Sequence, residues 1–154
     1  KNIFVMHDLS IVAEIAVSYS IQVSPEVRPK ISNSKDAYSL LMGIWNRDLI
    51  EYQEQMYLLL LDKANGVIGY RIVSSGGLGG TVVDVKQVLA ICLKTNAAGF
   101  IIAHNHPSGV TEPSKPDISL TKRLREAGNL LDLPLLDHLI LSATGYYSFS
   151  DSGI

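Results

Sequence analysis

Residues 97–103 read Ala-Ala-Gly-Phe-Ile-Ile-Ala, so neither face of a strand built from them suits water. Such a strand belongs inside a sheet covered on both sides, which dictates a layered fold with helices above and below. The run cannot be a membrane span, which needs roughly 20 apolar residues; Met56–Leu61, the longest run free of glycine, also falls far short. With 154 residues, 47% of them apolar and 18% charged, the chain suits one globular domain. A domain of that size buries about two-thirds of its unfolded surface.

The other elements assemble around this strand. Leu9–Ile21 alternates β-branched and polar residues, which predicts a strand, and the two prolines of Ser24–Pro29 end it. Residues 1–33 are therefore expected to form a strand-like arm and residues 34–154 the domain proper. His7, Asp8 and Glu14 interrupt any signal-peptide core. Ser34 is the predicted N-cap of a helix reaching about Asn46 or Asp48, with Ala37, Leu40, Leu41, Ile44 and Trp45 on its stripe. Met56–Leu61 and Val67–Ser74 should pair as a hairpin turned at Asn65-Gly66, where positive φ is tolerated.

Ser74–Gly80 is a glycine-rich loop without the lysine or the spacing of a phosphate cradle. Asp84–Asn96 is a predicted helix with Val85, Val88, Leu89, Cys92 and Leu93 inward, which makes Cys92 packing rather than a nucleophile. Ser114–Leu131 is a predicted helix with Ile118, Thr121, Leu124 and Leu131 inward and a solvated basic face. Leu135–Ser142 and Tyr146–Phe149 complete the sheet as strands. The expected class is α+β with α/β character, a mixed sheet flanked by helices.

The chemistry sits where the central strand ends. His104 and His106 are two apart, so on extended backbone both imidazoles leave the same side. Asp117 lies three residues beyond Ser114 at a helix start, with Pro116 in the first turn. Two imidazoles and a carboxylate form a three-ligand set for zinc and leave a fourth position for a water that the metal acidifies to a pKa of about 7. Taken alone, Ser114…Asp117 is also a capping box, and two histidines can be a hydrogen-bonded loop. A general base would have to come from elsewhere, with Glu54, Glu51 and Glu112 as candidates. Glu54 is favoured because it adjoins the hairpin that must pair with the central strand. A closed structural zinc site would need a fourth ligand, Glu112 or Asp137. Asp137 and His138 point to opposite faces of a strand, so both cannot be ligands; His138 reads as a core or supporting histidine. The three consecutive residues His-Asn-His do not make an HNH nuclease, whose residues are dispersed. A zinc deaminase needs H-x-E and a later PCxxC that the lone Cys92 cannot supply.

His104-x-His106-Pro followed by Ser114-x-x-Asp117 resembles the H-x-H…S-x-x-D pattern of the JAMM (MPN-plus, JAB) metalloproteases. More closely, residues 53–153 resemble the bacterial RadC family, traditionally labelled a DNA repair protein. The resemblance is carried by the LLLLD strand, NAAGFIIAHNHPSG, the PSxxDxxLTxxLxEAG helix and LLDHLI before the YYSF end. It implies a JAB/MPN fold similar to cytidine deaminases, with Zn2+ held by His104, His106 and Asp117. It also implies Glu54 as base and proton shuttle and Ser114 as the donor to a developing oxyanion.

The activity implied is hydrolysis of peptide or isopeptide bonds, with a peptide or protein conjugate as substrate. Longer RadC proteins carry an N-terminal helix-hairpin-helix DNA-binding domain, and nothing in residues 1–50 resembles one. The second reading is an accessory, DNA-repair-associated binding protein of the same fold. A net charge of −2 does not favour nucleic acid as a partner. The single cysteine excludes an intramolecular disulfide and points to the cytoplasm. The alternating arm makes pairing with a second chain conceivable.

Overall fold

The computed structural model describes residues 16–20, 23–76 and 83–154. Most of the predicted strand at Leu9–Ile21 and much of the glycine-rich loop lie outside them. Within that segment, residues 16–20 are exposed and are not assigned to a strand. Residues Pro25–Val27 form one 3-10 turn, after which the chain joins the body of the domain. Arg28 Nη1 donates to Asp62 Oδ2 at 2.8 Å, and Lys30 bridges to Gly66.

The ordered elements are α1 (Ser34–Ile44), β1 (Gln55–Leu61), β2 (Val67–Ser75), α2 (Val85–Lys94), β3 (Gly99–Asn105), α3 (Lys115–Leu130), β4 (Leu135–Leu141) and β5 (Tyr146–Ser148). They build one mixed sheet in the order β2-β1-β3-β4-β5. Only the β3–β4 pair is parallel, joined through α3; the other pairs are antiparallel. Strands β1 and β3 are buried along their whole length, as their two-sided apolarity requires. The α+β expectation holds, with helices on both faces.

Alternation sorts each strand into two cores. Tyr57, Leu59, Leu61, Ile101, Ala103, Leu139 and Leu141 face α1 and pack with Leu41 and Trp45. Met56, Leu58, Leu60, Phe100 and Ile102 face α2 and α3 and pack with Val88, Cys92 and Leu124. The antiparallel register places Met56 opposite His104, so β1 begins beside the point where β3 ends. That register carries Glu54 to the histidines across fifty residues of sequence.

Several local expectations are corrected. Asn33, not Ser34, caps α1: its extended backbone lets the side chain accept from Asp36 N at 2.9 Å. The Ser34 hydroxyl instead donates to Asp151 Oδ2 at 2.6 Å. The helix stops at Ile44, with Trp45 as its extended C-cap. In the hairpin turn only Asn65 takes positive φ, at 58°. Leu93, Ile118 and Leu131 are exposed rather than inward, and Gly128 is buried on α3 instead. A Cβ at Gly128 would stand 2.3 Å from Leu133 O, so the helix comes too close to the following turn for any side chain there.

Candidate metal centre

β3 and α3 converge on one point. His104 is the penultimate residue of β3 and fully buried, and His106 follows in the loop. Asp117 is the third residue of α3 and half-buried. One possible ligand atom from each of His104, His106 and Asp117 lies within 4.8 Å of the others. Asp117 Oδ1 is 3.1 Å from His104 Nε2, and Oδ2 is 3.5 Å from His106 Nε2. The two Nε2 atoms are 3.0 Å apart.

Hydrogen bonds fix which ring nitrogens face this point. The Thr121 hydroxyl has one proton and donates it to the Asp117 carbonyl at 2.7 Å. It must therefore accept from His138 Nδ1, also at 2.7 Å. Burial pushes the His138 pKa far down, so that ring is neutral and its Nε2 offers only a lone pair. That lone pair, 2.8 Å from His104 Nδ1, takes the His104 proton. His106 Nδ1 donates to the Val110 carbonyl at 2.6 Å. Both imidazoles thus turn Nε2 to the spot where the Asp117 carboxylate points, as a lone pair when the ring is neutral and as an N–H donor to Asp117 when it is protonated. With both rings neutral, three acceptors meeting there suit a cation, and two nitrogens with one oxygen are a donor set that zinc accepts.

Burial works against the Asp117 charge, but hydrogen bonds from His104, His106 and Ser114 outweigh it and hold the carboxyl far below its ordinary range. The same carboxylate, by its hydrogen bond, raises the His106 pKa against the effect of burial. The centre prefers positive charge.

Ser114 and Asp117 do form a capping box. Ser114 N donates to Asp117 Oδ2 at 2.7 Å, Asp117 N donates to Ser114 Oγ at 3.3 Å, and Ser114 Oγ donates to Oδ2 at 2.5 Å. The cap and the ligand readings of this motif are one arrangement: the cap orients the carboxylate. Glu54 lies close by. Its charge acts on His106, and it lines a groove of about 260 Å3 with Met56, Val83, Pro116, Asp117 and Arg123.

Other candidates fall away from the centre. Glu51 and Glu112 are exposed and outside the ligand cluster. Asp137 is on the α1 side of the sheet, bonded to Ser148 Oγ at 2.6 Å and to the backbone of His138 and Ser150. It supplies no fourth ligand. His7 lies outside the described residues. His138 supports His104 directly, and behind it lies Thr121, which the sequence shows only as an inward helix residue. Its spacing of four from Asp117 was the available signal.

Residues 31–154 match the RadC-like JAB domain. A UPF0758 protein of Flavobacterium johnsoniae is 43% identical over 125 residues, covering 81% of this chain and 53% of that protein. One of Clostridium beijerinckii is 38% identical, with the same shares covered. One of Syntrophomonas wolfei is 32% identical over 155 residues, covering all of this chain and 66% of that protein. The chain spans about half the length of the first two relatives. No described helix is long and apolar enough to cross a membrane. With its sheet, its helices and four-fifths of its residues matched to one family, the chain belongs to the RadC-like JAB domains.

Proposed function

We propose that this chain is a zinc-dependent hydrolase acting on peptide or isopeptide bonds. The observation that carries the reading is the convergence of two Nε2 atoms and the Asp117 carboxylate beside Glu54. His104, His106 and Asp117 would hold the ion. Zinc in such a site acidifies water and polarises a carbonyl. Glu54 takes a proton from the attacking water and returns it to the leaving amine nitrogen. Ser114 Oγ, turned from Asp117, donates to the oxygen that gains charge. Met56, Val83, Pro116 and Leu120 give the groove an apolar lining for the side chain next to the scissile bond.

The purified chain should bind about one zinc and release amines from a library of peptides and isopeptide conjugates. Stoichiometric zinc without cleavage of any member would favour the accessory binding role instead. A net charge of −2 makes a peptide a better partner than nucleic acid. Burial pushes the Cys92 thiol up to about 12, in keeping with an inert thiol.

The ring behind His104 has its own test. Thr121→Val keeps the side-chain volume and removes the hydroxyl that orients His138. Zinc affinity measured by chelator competition should fall about 10–100-fold, the usual cost of losing a supporting partner. An affinity unchanged within twofold would show that the tautomer of His104 is set without it.

A further inference from the structure

We propose that Asn105, between the two ligand histidines, is the positioning residue for Glu54. The proposal rests on Glu54 being the base. Alternation along β3 sends His104 to the α2/α3 side of the sheet, so Asn105 faces the α1 side. There it is fully buried, and its amide is spent on one short segment. Nδ2 donates to Ile50 O at 2.7 Å and to Gln53 O at 2.9 Å, and Oδ1 accepts from Gln55 N at 2.8 Å.

The last two contacts hold the backbone immediately before and after Glu54. Residues 51–54 lie outside the sheet and have no strand partner to set their path. Glu54 O accepts from Gly76 N at 2.9 Å, and Gln53 Nε2 donates to Gly76 O at 2.6 Å, so the end of β2 completes the clamp. Two donors and an acceptor at this reach are what an asparagine provides. Aspartate would face two carbonyls with lone pairs, alanine reaches nothing, and leucine fills the space without a hydrogen bond. One residue triplet therefore sets both halves of the site: its histidines carry the ligand atoms, and its asparagine fixes the distance from them to the base.

Hydrogen exchange on the metal-free chain tests this without any turnover. In Asn105→Ala the amides of Tyr52, Gln53, Gln55 and Gly76 should exchange at least tenfold faster, while those of Leu58–Leu60 and Ile101–Ala103 keep their rates. Zinc binding should stay within threefold of the parent, because none of the three ligands is touched. Under turnover kcat should drop toward the Glu54→Gln level with KM held, and Asn105→Ala should add nothing to Glu54→Gln. Asn105→Asp keeps the acceptor for Gln55 N, so the Gln55 amide should stay slower than in Asn105→Ala. If Asn105→Ala does not fold, exchange in the parent chain decides: Gln55 and Gly76 should open together with Asn105, not before β3. Unchanged exchange at residues 52–55, zinc lost along with it, or independent effects of the two substitutions would overturn the proposal. A parent chain that binds no zinc, or a fully active Glu54→Gln, would instead refute the hydrolase reading and leave the exchange result standing.

Discussion

Glu54→Gln should leave about one zinc bound per chain and slow amide hydrolysis by about 10²–10⁴-fold, the usual contribution of a positioned acid–base group. His104→Ala and Asp117→Ala should do the reverse in the first respect, removing the metal itself. The split follows from placement. The three converging side chains come from β3, the loop after it and α3, whereas Glu54 comes from the segment just before β1 and lies outside that cluster. Metal analysis by mass spectrometry and kcat on the same preparations check both halves. A Glu54→Gln chain with undiminished kcat would remove Glu54 from the chemistry.

Gly128→Ala should destabilise the fold by about 1–3 kcal/mol, the range for forcing atoms into a filled interior. Helix propensity alone predicts the opposite, a gain of about 1 kcal/mol. Packing wins because the new Cβ would sit 2.3 Å from the Leu133 carbonyl oxygen and 3.3 Å from the Phe100 ring. The oxygen cannot swing away freely, since Leu133 leads directly into β4 and Leu133 N is bonded to Gly128 O at 2.9 Å. Gly43→Ala is the control: nothing lies within 4 Å of its Cβ position, so that change should be neutral or mildly stabilising. Urea unfolding of both variants measures the contrast, and a stabilised Gly128→Ala would contradict the close approach.

The layers and the convergence of His104, His106 and Asp117 were legible because they rest on period and spacing. Seven apolar residues in a row demanded a doubly covered strand, and an i, i+2 pair of histidines on extended backbone at its end had to share a side. The fold-back of α3 was not legible. Ile118 and Leu131 look like inward residues in any helical projection, yet each is 43% exposed. The helix turns Gly128 inward because only a residue without a side chain lets it meet the turn at Leu133, a tertiary fact with no local signature. The α1 cap failed for a different reason. Asn33 and Ser34 are equally good caps, and the choice was made by Asp151, 117 residues away, which takes the Ser34 hydroxyl. Asn105 was hidden in plain view: a polar residue inside a buried strand signals a demand for partners, and those partners lie in a loop that pattern alone could not bring near.

The chain order of the site has an entropic consequence. His104 and Asp117 are 13 residues apart, in neighbouring elements joined by one loop, while Glu54 is 50 residues from His104. Closing the longer loop costs about 1.2 kcal/mol more in chain entropy, from (3/2)RT ln(50/13). The β3–α3 unit can therefore gather its ligands while β1 is still unpaired. On the hydrolase reading, gathering the residues that would grip the ion costs the chain less entropy than bringing up the base that would use it.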